Sequence, residues 1–489
     1  MTTHLPVLQV VVPLACAPLC VLLRSRTVAW LLFLLAALSS LTCAVLLAVR
    51  VADGESLRYA MGGWPAPEGI EFVVSGFNTP VLLLVSSIAV VAAVYARRSV
   101  LAEIDERRVP LVYTCLCLTL TGLLGITITG DAFNVFVFLE ISSLSSYALI
   151  AMGRRRRALV ASFRYLVIGT VGATFVLLGI GLAYAVTGTL NMADLAARLS
   201  ELDGNRALYA AVVFVFIGLA VKAAVFPLHA WLPAAYAEAP SAVSMFLAAT
   251  STKVAIYVFC RFAFTIFGAG LVFGAMPIGQ VGLLLAALAM LVGSAVACFQ
   301  TDLKYLLAWS SVAQIGYIVA GISLATSAGV SAGYLHVLNH AIIKAALFAA
   351  AGLLLLRLGS VRLTALAGLG RRMPWTFAAI VVAGLGLVGV PPTAGFASKW
   401  ALAAALIERN QWPVLVAMLV SSLLALVYVG RIVEVAWFRE PTLTESKKPP
   451  VSMVAAIWVL VLASVYFGLD ATLPAGLADA AADALLGGG

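Results

Sequence analysis

Four lysines stand where a lysine is hardest to accommodate. Lys222 lies in "GLAVKAAVFPLHAWLP", the stretch from Gly218 to Pro233 that continues the apolar run "ALYAAVVFVFI", and Pro227 follows it by five residues. A charge at bilayer depth costs at least about 2.5 kcal/mol, and a proline inside a helix costs about 3 kcal/mol or more through a lost hydrogen bond and a clash. Two unfavourable choices in one segment point to a site. Lys253, Lys344 and Lys399 occupy equally apolar stretches. One such lysine near a helix end can snorkel to the headgroups; four in different segments require a polar interior path. Glu140, in "DAFNVFVFLEISSLSSYALIAMG", joins them. A buried carboxylate without a cationic partner takes up a proton, so Glu140 is expected to pair with Lys222. The plainer alternative is an inert ion pair that only fixes the packing of two helices.

The stretch "GYLHVLNHAIIKAALF" places His336, His340 and Lys344 at i, i+4 and i+8, on one helix face, with Tyr334 and Asn339 adding polar atoms nearby. Two histidines at this spacing could hold a metal, but no Glu or Cys accompanies them in the usual ligand pattern. Proton relay fits better, because imidazole titrates at about pH 6.5. For His336 a plain hydrogen bond to a neighbouring helix is an equal alternative. In "GLGLVGVPPTAGFASKW", Pro391 and Pro392 interrupt a second apolar run just before Lys399.

The elements that must position these groups follow from composition. The 489 residues are 63% hydrophobic and 10% charged, with mean hydropathy +1.09, which excludes an ordinary soluble domain. The expected fold is an all-α polytopic membrane protein. Spans of about 20 residues fall near 5–23, 28–50, 75–96, 109–129, 132–152, 161–187, 208–232, 241–262, 276–299, 303–325, 331–356, 375–407, 413–436 and 450–469, fourteen in all. The start, "MTTHLPVLQVVV", lacks a positive n-region and a cleavage site, so it reads as a retained first helix. The seven cysteines form no C-x-x-C pair and read as small buried hydrophobes.

With the N-terminus outside, twenty basic residues fall on cytoplasmic loops or helix ends. They include Arg24, Arg26, Arg107, Arg108, the run Arg154 to Arg157, Lys304, Arg362, Arg371, Arg372, Lys447 and Lys448. Six fall outside: Arg50, Arg58, Arg198, Arg206, Arg261 and Arg409. The positive-inside rule then puts both termini on the outer face. The interrupted spans are the seventh and the twelfth, so they run in opposite directions. Spans 4–8 and 9–13 read as two inverted five-helix repeats, and broken helices at matching positions of inverted halves mark a transport site. The chain divides into 1–108 (spans 1–3), 109–263 (first repeat), 264–440 (second repeat) and 441–489 (span 14 and tail).

The segments "VKAAVFPLHAWLPAAYAEAPSAVSMFLAATSTK", "FLEISSLSSYALIA", "TDLKYLLAWSSVAQIGY", "LNHAIIKAALF" and "GVPPTAGFASKW" closely resemble the antiporter-like subunits shared by respiratory complex I and Mrp-type multisubunit cation/proton antiporters. The likeness covers about spans 4–13, and in length the chain looks most like the D-type member of the Mrp set. The resemblance implies roles. Glu140 matches the glutamate of helix 5 and Lys222 its partner lysine on helix 7. Lys253 matches the central lysine of helix 8, His340 and Lys344 the helix 11 relay, and Lys399 the terminal residue on helix 12. One complex I subunit has a glutamate at this last position, so the lysine here points to another member. His229 and Trp231 belong to the motif as residues that shape the helix break.

The implied function is an ion-translocating subunit of a multisubunit Na⁺/H⁺ antiporter. Its partners would be other membrane subunits of a hetero-oligomeric complex, protons, Na⁺ and the lipid of a bacterial plasma membrane. The alternative is a proton-pumping membrane subunit of a complex I-like NADH-quinone oxidoreductase or a membrane-bound hydrogenase; a third reading is a scaffold subunit. No nucleotide loop, redox centre or nucleophile site is recognisable, so no cofactor, no nucleic-acid partner and no enzyme activity of the isolated subunit are expected. The topology is testable by cysteine labelling from the two sides of the membrane. The Arg154 to Arg157 turn should label only from the cytoplasm and the "VADGESLRYAMGG" loop only from outside, and the reverse pattern overturns the assigned orientation.

Overall fold

The structure, a computed structural model, describes residues 4–52, 54–202, 205–440 and 449–487. In hydrocarbon every backbone N–H and C=O must be satisfied within the segment, so long apolar runs can only become helices. The helices are α1 (Leu5–Leu22), α2 (Arg26–Arg50), α3 (Thr79–Glu103), α4 (Val109–Ile128), α5 (Ala132–Ala151), α6 (Arg156–Thr187), α7 (Met192–Leu199), α8 (Arg206–Ala223), α9 (Leu232–Glu238) and α10 (Ser241–Cys260). They continue as α11 (Ile278–Phe299), α12 (Leu303–Ser323), α13 (Ser327–Leu358), α14 (Pro374–Val388), α15 (Ala394–Glu408), α16 (Trp412–Phe438), α17 (Val451–Leu469) and α18 (Thr472–Leu486). Among the described residues, thirteen helices are long and apolar enough to cross a membrane. The fourteenth crossing is the twelfth expected span, divided into α14 and α15 of 15 residues each. The seventh span is likewise divided, into α8 and the short α9.

Three elements lie outside the expected pattern. An antiparallel hairpin, β1 (Leu57–Ala60) with β2 (Glu71–Val74), occupies the loop between α2 and α3. The amphipathic α7 follows α6. The segment expected as a C-terminal tail contains α18, whose Ala478, Ala481, Ala482 and Leu485 are buried and whose Asp479 accepts a hydrogen bond from Ser331 of α13. Its alanine-rich face is too short and too weakly apolar to read as a span. Lys447 and Lys448 lie outside the described residues.

The two repeats are inverted copies, and their joints show it. Asp131 caps α5 through the Asn134 N–H, and Asp302 caps α12 through the Lys304 and Tyr305 N–H groups. Asp131 bridges to Asn191 and Asp302 to Arg362. The helices before those partners, α6 and α13, are both 32 residues long and end on left-handed glycines, Gly188 (φ 73) and Gly359 (φ 69). The first clasp sits on the face of the hairpin, where Phe72 bridges Thr129; the second, with Arg362, lies on the opposite face beside the Arg155 turn.

The breaks repeat too. Ala224 (φ 55) ends α8 and Gly389 (φ 87) ends α14; Val225 N–H reaches back to the Ala220 carbonyl and Val390 N–H to that of Leu385, at 2.9 and 3.1 Å. Between the repeats, α10 and α12 form the centre and are almost wholly enclosed, whereas less than half of α6 is buried. Where α15 leaves the second break, a Cβ on Gly395 would overlap the Gly386 carbonyl oxygen of α14. Overpacking that demands backbone movement is destabilising by about 1–3 kcal/mol or more. Gly395→Ala should therefore lower the melting temperature of the purified complex and distort the break, and an unchanged melting curve overturns this close contact.

Candidate proton path

The side chains singled out from the sequence converge on the bundle interior. Lys222 is carried to the last turn of α8, just before the left-handed Ala224. Its Nζ lies 3.2 Å from Glu140 Oε1 and donates to Ser143 Oγ at 2.8 Å, both on α5. The lysine side chain is 3% exposed and the glutamate 22%. Glu140 stands on the outward stripe of α5 with Phe133 and Leu144, which are 44% and 55% exposed. The pair is thus a mid-span carboxylate on the flank of the bundle holding an ammonium that points inward. Beside it, a cavity of about 20 Å³ joins Lys222, Ser142, Ser143 and Ser146 to Ser251 and Ala255 of α10, room for about one water molecule.

Lys253, on α10 and fully buried, donates to its own helix at the Ala248 carbonyl (2.5 Å) and approaches Thr252 Oγ1 (3.5 Å). Lys344, on α13, donates to Leu307 O (2.7 Å) and Ser310 Oγ (2.5 Å) of α12. His340 and His336 stack one turn apart on the same face, centroids 5.9 Å apart and planes 3° from parallel. Neither ring nitrogen of His340 has a protein partner within hydrogen-bonding distance among the described residues. His336 is clamped between Ser398 Oγ and Gln314 Oε1, both at 2.9 Å. Gln314 in turn donates to Leu387 O (3.5 Å), an oxygen that also receives Lys399 Nζ at 2.7 Å. Lys399 completes its ligation with Val388 O (3.1 Å) and Ser422 Oγ (3.0 Å), and its ammonium sits 4.5 Å from the Tyr317 ring centroid. From His336 to Lys399 the polar contacts are continuous. Among the described residues, only Lys222 of the four lysines has a carboxylate within ion-pair distance.

His229 and Trp231 shape the first break. Trp231 Nε1 donates to Val221 O at 2.9 Å, a carbonyl next to the break, while its ring stacks on Tyr165 at 3.8 Å. His229 packs against Phe226 and Trp309. Lys304 stands at a helix end, in the first turn of α12, yet it is 2% exposed, and its Nζ donates to Ala239 O (2.7 Å) just beyond the C-terminus of α9, where a helix favours a cation. It lines a cavity of about 270 Å³ with Glu103, Glu238, Asp302, Tyr305, Arg154 and Arg155. Ser143, Ser310, Gln314, Tyr317, Ser398 and Ser422 were also missed from the sequence. The signal for three of them was present: in "LKYLLAWSSVAQIGY", Lys304, Leu307, Ser310, Gln314 and Tyr317 recur at helical spacing on one face of α12.

These features define a polytopic membrane protein of two inverted repeats wrapped around a buried file of lysines and histidines. The family model described as "NADH:quinone oxidoreductase/Mrp antiporter, TM" matches residues 129–425, and the chain belongs to that family. It is 42% identical over 488 residues to a protein named NADH-quinone oxidoreductase subunit N from Desulforudis audaxviator, covering 96% of each chain. It is 32% identical over 414 residues to the D subunit of a Na(+)/H(+) antiporter from Alkalihalophilus pseudofirmus, covering 84% of this chain and 82% of the other. A chain in the structure of the Mrp complex from Dietzia sp. superposes with a TM-score of 0.90 at 28% identity, over 99% of this chain and 97% of that one.

The Glu140–Lys222 contact yields a test. Breaking a buried ion pair is destabilising by about 3–5 kcal/mol while the remaining partner keeps its charge, and a lysine, unlike an arginine, can shed that charge by releasing its proton. In Glu140→Ala the assembled complex should therefore persist at normal abundance while ion-coupled proton movement falls to background. Wild-type transport by this variant overturns the pairing as a working element.

Proposed function

We propose that this chain is an ion-translocating subunit of a multisubunit cation/proton antiporter and conducts protons along Glu140, Lys222, Lys253, Lys344, His340, His336 and Lys399. The observation that carries the reading is the file between the two helix breaks, with an edge carboxylate holding Lys222 at one end and freed carbonyls holding Lys399 at the other. While Glu140 stays beside Lys222 the ammonium has a counter-charge. When the carboxylate swings away, the proton becomes the mobile charge and moves inward. The remaining cations repel one another at low dielectric, so loading one site favours emptying the next. Energy comes from a coupled cation gradient or a partner subunit. Glu140 also speaks for partners: a carboxylate left partly exposed at mid-span on a lipid-facing flank is unfavourable, and a neighbouring subunit covering that flank removes the penalty. The reading places the chain in a bacterial plasma membrane with both termini outside and the arginine-rich face in the cytoplasm, and names Na⁺ as the exchanged cation.

The second reading, a proton-pumping membrane subunit of a redox complex, is favoured by the 42% identity to a protein named for NADH-quinone oxidoreductase. Purifying the intact complex and identifying its subunits separates the two: small membrane subunits alone support antiport, and iron–sulfur or flavin subunits support redox pumping.

Lys399 tests the path itself. Its three ammonium donors already have three oxygen acceptors, so its charge rather than its shape is the working property. Arginine keeps that charge and does not release its proton, so Lys399→Arg should assemble yet stall. Lys399→Ala should fail as well. The measurement is dissipation of a pH gradient in everted vesicles from cells without their own antiporters, at matched expression of the whole complex. Wild-type rates in Lys399→Ala place this residue off the path.

A further inference from the structure

Two turns that are far apart in sequence meet on the arginine-rich face. The turn into α6 brings Arg155, Arg156 and Arg157, and the turn after α13 brings Gly359, Ser360 and Arg362, around one open cavity of about 590 Å³. All four arginines are exposed, and among the described residues none has a carboxylate within ion-pair distance. Glu103 and Glu238, in the adjoining cavity, are turned away from them, to the Ser241 N–H and the Tyr305 hydroxyl. Four unpaired guanidiniums from the ends of two membrane-spanning helices form a basic concavity at headgroup depth, and their planar donor forks match phosphate oxygens. Directly below, α6 presents Leu159, Val160 and Phe163, which are 58%, 52% and 64% exposed. A phosphate group bound among the arginines would have a wall for hydrocarbon chains beneath it.

We propose that Arg155, Arg156, Arg157 and Arg362 bind the phosphate headgroup of an anionic phospholipid, whose acyl chains run down the outer face of α6. The positive-inside rule accounts for arginines on this face, but it does not require that two remote turns enclose one concavity or that apolar side chains continue it. The site spans both repeats, because Arg362 follows α13 of the second repeat and Arg155 opens α6 of the first. Arg155 and Gly359 also line the cavity that holds Lys304, Glu103 and Glu238. The bound lipid therefore joins the two halves at the rim of that charged cavity.

The test uses the purified complex in nanodiscs of phosphatidylcholine with a minor share of phosphatidylglycerol, with retained lipids counted by native mass spectrometry. The combined variant Arg155→Gln, Arg157→Gln, Arg362→Gln should lose retained phosphatidylglycerol on the order of a hundred-fold in affinity, at about one kcal/mol per arginine. A charge-matched variant on the same face, Arg24→Gln, Arg107→Gln, Arg108→Gln, should retain it. Inorganic phosphate should not displace the lipid. A photoactivatable phosphatidylglycerol on the unmodified complex should crosslink to α6 near Leu159 and Phe163, a readout that does not depend on any variant folding. Equal retention in the two variants, displacement by inorganic phosphate, or crosslinks to a neighbouring subunit instead of α6 each overturn the assignment.

Discussion

Of the four lysines in the file, three have no carboxylate within ion-pair distance among the described residues, and the bundle is arranged around supplying oxygen atoms to their ammonium groups. Removing a charge from water without hydrogen-bonding partners is prohibitive, yet a helix commits its carbonyls to its own N–H groups four residues on. Free oxygens must come from somewhere else. At Lys399 they come from the break: four residues after Leu387 and Val388 stand Pro391 and Pro392, which have no N–H to offer, so both carbonyls are left to receive the lysine. At Lys344 they come from the second lone pair of Leu307 and from a serine hydroxyl. Neutral dipoles of this kind solvate a charge without fixing it as a counter-ion would, and that suits a proton that has to leave.

The same backbone device therefore serves two ends. Both repeats interrupt a helix with a left-handed residue followed by a proline two or three residues later, and both draw the next N–H back to a carbonyl five residues earlier. In the first repeat a tryptophan ring N–H takes up a carbonyl beside the break and the lysine turns to Glu140. In the second repeat the lysine itself takes the carbonyls. Inverted copies of one fold thus present a charge-balanced cation at one end of the file and a dipole-balanced cation at the other. That asymmetry gives the file a direction, which two identical sites would lack.

How far this was legible in the sequence depends on what each residue had to announce. Lysine, proline and glutamate inside apolar runs stand out because each is unfavourable there, so the four lysines, Glu140, both breaks and the fourteen crossings could be read directly. Ser310 and Gln314 were missed although their spacing along α12 was there to read, and Ser398 and Ser422 gave no signal: serine is tolerated in membrane helices at little cost, and its importance comes from which helix it faces. Lys304 was read as a helix-end residue, which it is, but its burial was not legible. A lysine two residues after a helix-capping aspartate resembles an ordinary surface residue, and only the arrival of α9 from the other repeat buries it. The hairpin and α18 escaped because their apolar content is too small to register against thirteen much stronger segments.

The position of α12 explains why these missed residues matter. It is the most enclosed of the crossings, and along one face it offers Lys304 to the charged cavity, Leu307 and Ser310 to Lys344, Gln314 to His336, and Tyr317 to Lys399. A helix that touches Lys344, His336 and Lys399 holds their spacing constant even when individual side chains reorient. Rotating or sliding α12 by a fraction of a turn would break all of these contacts together, whereas a movement of α5 would affect only Glu140, Ser143 and their lysine. The mobile element of the path is thus expected at the bundle's flank, where Glu140 meets its surroundings, and the fixed element at its centre. A charge relay needs both, because a site that opens and closes can only pass a proton on if the next acceptor stays in place.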